Sequence, residues 1–219
     1  MNIALLVGSC DKYHFLWDTF SLLLDKYWDK GIDIPKYIIT QNVDPKIHNI
    51  QSIRVETPLY TTGLRKALDT IKSEYVLWLQ DDYFLRRPLS FSDFNTYCNL
   101  TESWNADRFG IHEDSTLYSK QTICNNIYKL NQFSLYTISL QASIWRSDFL
   151  YGLLDHEENP WEFEVQGSER LNNHKQHKIF YAAQNPPWYL EACRKGSFTD
   201  DFYTICREEG INASTTSVT

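Results

Sequence analysis

The chain lacks three things that would place it in common classes: a long apolar run, an excess of basic residues, and a cysteine motif. No segment approaches the ~18 consecutive apolar residues of a membrane-spanning helix. The apolar run near the N-terminus is short and has no basic region before it, so it does not read as a signal peptide. Lys and Arg number 21 against 28 Asp and Glu, a formal net charge of −7. That argues against nucleic acid as a partner, because phosphate backbones are held by clustered cations. A small phosphorylated ligand, needing only a local positive site or a metal, stays open. The five cysteines (Cys10, Cys98, Cys124, Cys193 and Cys206) are odd in number and contain no C-x-x-C. Their spacing fits neither a zinc site nor a disulfide framework, and free thiols in a reducing, cytoplasmic compartment account for them. The sequons at Asn99 and Asn212 are then chance matches. No internal repeat and no linker divides the chain. One domain is expected, since single α/β domains run to about 200–250 residues.

What is present is apolar and aromatic: 42% apolar residues, with 7 Trp and 14 Tyr among the 219. These can fill a sizeable core, and flat rings also suit the stacking of bases or sugars. Residues 3–7 form a continuous apolar run ending at Gly8-Ser9, which predicts a buried strand reaching a loop. Apolar spacing over 13–27 predicts a helix. Short strands are expected at 37–40 and 53–55, a helix over 64–71, and a fully apolar strand at 75–79. Alternation of this kind implies βαβ units and a largely parallel sheet. Further on, helical patterns cover 92–104, 144–154 and 160–172, with Pro160 in a first turn. Strands are expected at 108–112, 135–141 and 179–182. Residues 185–187 form a loop, and the polar tail 212–219 is expected to be disordered.

The strand at 75–79 ends in Gln80-Asp81-Asp82. Two adjacent carboxylates repel one another, and a divalent cation relieves the repulsion. Oxygen ligands suit Mg²⁺ and Mn²⁺, which take one or two protein carboxylates and complete their shells with phosphate oxygens and water. In parallel sheets ligands sit beyond the carboxyl ends of the strands, where both 8–11 and 80–82 fall.

The segment Thr62-Gly63-Leu64-Arg65-Lys66-Ala67-Leu68, followed by Ser73-Glu74 and the run Tyr75 to Phe84, resembles the core of GT-A-fold glycosyltransferases. In that fold a helix precedes an apolar strand that ends in a D-x-D-type metal motif; here Gln80 takes the first acidic position. A second block, residues 139–146 with Pro160-Trp161-Glu162-Phe163-Glu164, resembles small capsule- and polysaccharide-type and chlorella-virus-type transferases. The resemblance spans 1–194. It implies an α/β, GT-A-like fold: one domain over 1–211, with a mostly parallel central sheet flanked by helices and a smaller mixed acceptor-side region. The nucleotide-binding half is 1–90 and the acceptor half 91–211. It also implies a metal-dependent hexosyltransferase that moves a sugar from a nucleoside-diphosphate sugar, in the first instance a UDP-sugar, to a glycan or glycoconjugate hydroxyl. Mn²⁺ or Mg²⁺ would be the cofactor and polysaccharide biosynthesis the setting. The compartment is cytoplasmic, peripheral at a membrane, or a host cytoplasm for a viral chain.

By the same resemblance Asp82 is the metal ligand, and Asp81 contacts the ribose or sugar or shares the metal. Gly8, Ser9, Asp11 and Gln41 hold the nucleotide, and Arg65 reaches it. Arg194 and Lys195, in a flexible basic segment, cover the diphosphate. For an inverting reaction the base is Glu162 or Glu164. A helix N-terminus favours the ionised form, as a base at pH 7 needs. Residues i and i+2 point apart on a helix, so one of the two faces the site. His112, Glu113 and Asp114 are placed on the acceptor side. His174 and His177 read as surface residues, and Asp200-Asp201 ranks below Asp81-Asp82 as an acidic pair. Two alternatives stand beside this reading. A sugar nucleotidyltransferase is disfavoured by a first loop poor in glycine and basic residues. A non-catalytic carbohydrate-binding module is disfavoured by the βαβ opening.

Overall fold

Alternating side chains of two neighbouring strands build a core on each face of one sheet. In β1 (Ile3–Gly8), Ile3, Leu5 and Val7 enter one core and Leu6 the other. In the strand Tyr75–Gln80, Tyr75, Leu77 and Leu79 join the first core, while Val76 and Trp78 join the second. Such runs are apolar throughout because helices cover both faces of the sheet. This is a computed structural model, and it describes residues 1–112, 120–131, 136–154, 157–174, 176–184 and 186–213.

The strands are β1, β2 (Lys36–Thr40), β3 (Gln51–Arg54), β4 (Tyr75–Gln80), β5 (Tyr83–Leu85), β6 (Arg108–His112), β7 (Lys120–Cys124), β8 (Ile127–Leu130), β9 (Ser143–Arg146), β10 (Ile179–Ala183), β11 (Tyr189–Glu191), β12 (Cys193–Arg194) and β13 (Ser197–Phe198). The helices are α1 (Trp17–Tyr27), α2 (Tyr60–Ile71), α3 (Phe91–Ser103), α4 (Ser147–Leu153), α5 (Pro160–His174) and α6 (Asp200–Glu209). Among the described residues nine strands form the main sheet, in the order β3-β2-β1-β4-β9-β6-β10-β8-β7. β1 to β4 are mutually parallel, β9 runs against both β4 and β6, and β10 lies parallel to β6. The β7–β8 hairpin closes the far edge. Helices α1, α3 and α6 cover one face; α2, α4 and α5 cover the other. This is the α/β architecture expected from the sequence, and the sheet runs unbroken past residue 90 through the β4–β9 pairing.

Several expectations are corrected. The predicted helix over 13–27 begins as a 3₁₀ segment, Asp11–Leu16, before α1. No strand forms over 136–141, and residue 135 lies outside the described residues. Side chains of α5 take the ladder's place there: the Ile138 N–H donates to Ser168 Oγ at 2.9 Å, and the Leu140 N–H to Glu164 Oε1 at 2.6 Å. The helical pattern at 144–154 splits, with residues 143–146 pairing as β9 and the helix starting at Ser147. No element is expected over 197–211 from the sequence. The structure makes Asp200–Glu209 a helix capped by Thr199, whose Oγ1 accepts from the Phe202 N–H at 3.2 Å, and ended by Gly210 at φ +66°. Both are ordinary helix boundary signals. The tail beyond residue 213, and residue 185 of the expected loop, lie outside the described residues.

Two histidines are not where the sequence put them. His177 is 7% exposed rather than on the surface. His112 is 3% exposed and stacks on Tyr181 with centroids 5.3 Å apart, inside the sheet rather than on an acceptor surface. Gly110 makes room for it, since a Cβ there would meet the imidazole at 2.6 Å. Glu113 and Asp114 lie outside the described residues. Burial first, and then the charge of Arg108, push the His112 imidazole down from 6.5 to about 3. The unfolded chain therefore takes up a proton near pH 6.5 that the native protein refuses until about 3. Stability from the neutral ring is complete above the first value and is lost as pH falls toward the second. Urea midpoints measured from pH 7 to 4 are expected to fall more steeply for the wild type than for His112→Gln; parallel slopes would contradict a neutral buried ring.

Candidate functional site

A cavity of about 570 Å³ opens at the carboxyl ends of β1, β2 and β4, bounded beyond them by the starts of α2 and α5 and by β11 and β12. Gly8 ends β1 opposite Gln80, and the next N–H, that of Asp81, donates back to Gly8 O at 3.1 Å. Gly8 cannot be replaced without displacement, because a Cβ would lie 2.3 Å from the Trp78 ring. That indole forms part of the cavity wall and donates to Leu140 O at 3.0 Å.

The chain turns at Asp81-Asp82 into β5, which pairs with β11; the Ala192 N–H then clamps Asp82 O at 2.7 Å. Asp81 is buried. Its Oδ2 accepts from Ser9 Oγ at 2.5 Å and from Trp17 Nε1 at 3.1 Å. Burial outweighs these donors and raises the carboxyl to about 7. Asp82 is held well above the ordinary carboxylate range, first by burial and then by the charges of Asp81 and Glu191. Its Oδ1 is buried with no hydrogen-bond partner among the described residues.

This donor set fits a hard divalent cation. Two adjacent carboxylates, both raised by burial, with Asp82 raised further by the charge of Asp81 and carrying an orphaned oxygen, are what a cation would relieve. Among the described residues no three Asp, Glu, His or Cys side chains form a ready-made cage. The pair would therefore supply the protein's share of a shell completed by ligand oxygens and water.

The two glutamates of α5 have separate environments. Glu162 forms a reciprocal cap with Asn159: its N–H donates to Asn159 Oδ1 at 2.9 Å, and its Oε2 accepts from the Asn159 N–H at 2.9 Å. Glu164 lines the cavity. Burial raises its carboxyl, opposed chiefly by the Leu140 N–H and by the charge of Arg108.

Of the other expected site residues, Gly8, Ser9, Gln41, Asp81, Asp82, Arg194 and Lys195 line the cavity together. Asp11 does not line it. Its carboxylate is occupied by the backbone N–H groups of Gln41, Asn42 and Val43 at 2.6–3.0 Å, bracing the loop after β2. Those donors, against a cost from burial, hold it below the usual carboxylate range. Arg65 is turned away: it donates to Leu154 O at 3.1 Å and lies 4.3 Å from the Tyr151 ring centroid. The Arg194-Lys195 segment is the tip of the β12–β13 hairpin rather than a loose strap, with Lys195 at φ +53° and Gly196 at φ +80°. Positive φ at both central residues is the signature of a tight two-residue turn. Arg194 there pairs with Glu191.

The sequence reading missed Tyr60, Trp161 and Glu191, all on the cavity wall. Trp161 stood inside the Pro160–Glu164 block already singled out. Glu191 carries no local signal, since only the pairing of β5 with β11 brings it to Asp82.

Neither a protein-family model nor a curated protein sequence matches this chain. Solved structures do. CMP:2-keto-3-deoxy-manno-octonic acid synthetase complexed with CTP aligns with a TM-score of 0.54 at 11% identity, covering 98% of this chain and 99% of that one. S. aureus TarS 1–349 aligns at 0.53 and 13%, covering 95% and 64%. UDP-glucose pyrophosphorylase complexed with UDP-glucose aligns at 0.53 and 6%, covering 87% and 92%. This chain spans only 39% of the longer TarS structure. At these identities the likeness is one of fold: the chain has a GT-A-like α/β fold.

The capping role of Glu162 is testable by stability. Glu162→Ala is expected to cost about 1 kcal/mol in urea unfolding. Glu162→Gln, which can still reach back to the Asn159 N–H, should retain most of it. An alanine variant as stable as the wild type would remove the cap assignment.

Proposed function

We propose that the protein is a metal-dependent glycosyltransferase that moves a sugar from a nucleoside-diphosphate sugar, a UDP-sugar in the first instance, to a glycan hydroxyl with inversion. The observation that supports this reading is one cavity lined both by the Asp81–Asp82 pair, with its orphaned Asp82 oxygen, and by the separate, half-buried Glu164. In this reading residues 1–90 bind the nucleotide and residues 91–211 receive the acceptor.

Asp82, with Asp81 beside it, would hold Mn²⁺ or Mg²⁺, which when bound neutralises charge developing on the diphosphate. Gly8, Ser9 and Gln41 border the nucleotide. Glu164 takes the proton from the attacking acceptor hydroxyl as the new glycosidic bond forms. Burial raises its carboxyl, the direction that makes a carboxylate a stronger base. Arg194 and Lys195 face the departing diphosphate, where fixed cations stabilise leaving charge.

A second reading, a sugar nucleotidyltransferase, is favoured by one observation: the near-complete mutual coverage with CMP:2-keto-3-deoxy-manno-octonic acid synthetase. Against it, the loop after β1 is committed to bracing. Ser9 bonds to Asp81 and Asp11 to the loop after β2, which leaves Lys12 as that loop's cation on the cavity. Release of pyrophosphate from a nucleoside triphosphate and a sugar 1-phosphate would decide for this second reading.

Thermal melting with Mn²⁺ and a panel of nucleoside diphosphates tests the first. A ligand at ~100 times its dissociation constant adds about 2.7 kcal/mol. Asp82→Asn should lose the metal-dependent part of that gain. Glu164→Gln should keep it while losing roughly 10²–10⁴ in kcat. The absence of a shift with every nucleoside diphosphate, with or without metal, would remove the proposal.

A further inference from the structure

The wall of the cavity formed by the starts of α2 and α5 holds features that neither the metal pair nor the diphosphate uses. Tyr60 lines the cavity, and its hydroxyl oxygen is buried with no hydrogen-bond partner among the described residues. Burial and the neighbouring Glu164 carboxylate hold this phenol well above its ordinary range, so it stays protonated and able to donate. A buried hydroxyl left unpaired is costly and calls for an explanation.

Trp161 stands one turn before Glu164 on the same helix, which puts the two on one face. It is 65% exposed, and Leu59, also on the cavity wall, is 41% exposed. The two helix starts are fixed to each other. The Glu158 N–H donates to Thr61 Oγ1 at 3.2 Å, and the Tyr60 and Phe163 rings lie 6.2 Å apart. The cations on the cavity wall, Lys12, Arg194 and Lys195, come from the loop after β1 and the β12–β13 turn. The α2–α5 end offers instead a carboxylate, an unpaired hydroxyl, an exposed indole and an exposed leucine. That combination is poor for a phosphate. It suits a neutral ring with hydroxyls on its edge and C–H bonds on its face.

We propose that Tyr60 and Trp161, beside Glu164, form a pyranose subsite: Tyr60 Oη bonds a ring hydroxyl, and the Trp161 indole packs against the ring's C–H face. The inference rests on the transferase reading for its place in a reaction. Either the donor's sugar or a sugar of the acceptor could supply the ring.

Titration calorimetry with Mn²⁺ separates these sources. The probes are UDP, UDP-glucose and UDP-N-acetylglucosamine, and then maltotriose and chitotriose added to the UDP-bound protein. Tyr60→Phe keeps the ring contacts and removes only an oxygen that has no partner, so its melting temperature should equal or exceed that of the wild type. Affinity for UDP should be unchanged in Tyr60→Phe and Trp161→Ala. A loss of roughly three- to tenfold confined to a UDP-sugar assigns the ring to the donor, and the same loss confined to a trisaccharide assigns it to the acceptor. Wild-type affinity for every sugar-bearing probe in both variants overturns the subsite. An equal loss for UDP itself also overturns it, since the residues would then be holding the nucleotide. If the wild type binds no nucleotide, the transferase reading fails by itself. The trisaccharide arm then decides the subsite alone, and no binding there overturns it.

Discussion

The carboxylate of Asp81, buried at the end of β4 and bonded to Ser9 Oγ and Trp17 Nε1, is the constraint around which the cavity is organised. It ties three parts of the chain together: the end of β4, the loop after β1, and the first turn of α1. A buried anion that is not fully compensated raises its own pKa rather than pay the whole desolvation cost, and Asp81 does so. The same burial acts on Asp82 and Glu164. With Glu191 the protein thus gathers four acidic groups in one cavity while its overall charge is already negative. A hydrophobic core alone would gain nothing from this. The arrangement makes physical sense for a site that receives positive charge and handles a proton.

The first half of the molecule was readable because its local signals agree with one another. Residues 3–7 and 75–79 are apolar without interruption, and that is what a parallel strand covered on both faces requires. The adjacency of β1 and β4, which brings Ser9 to Asp81, cannot be read from either strand alone. It depends on where the helices between them pack. The second half misled because tertiary contacts override its local pattern. Residues 135–141 look like a strand, yet the N–H groups of Ile138 and Leu140 find partners on α5 instead of on a neighbouring strand. His177 sits in a hydrophilic run and is nonetheless buried, two residues before β10 begins.

The candidate site was legible in its centre and not at its edges. Asp81 and Asp82 declare themselves by ending an apolar strand. Asp11 and Arg65 are of the right type and near the right place in sequence, but backbone amides near the end of β2 consume one and the end of α4 the other. Residue type and approximate position cannot tell a side chain that serves a ligand from one that holds a loop. What tells them apart is whether its hydrogen-bonding capacity is already spent.

The same accounting orders the two glutamates of α5. An N-terminal helical turn leaves backbone N–H groups without intrahelical partners, and Glu162 with Asn159 satisfies some of them reciprocally. That role fixes Glu162 on the helix end. Glu164, two residues later and about 200° around the helix, is directed elsewhere. One of its oxygens accepts from the Leu140 N–H, so it also stops residues 136–141 from forming a strand. A single carboxylate therefore shapes the wall of the cavity and lines it. The segment that defeated the strand prediction and the residue proposed as the base are two ends of one hydrogen bond. The irregular backbone there follows from the placement of the acid.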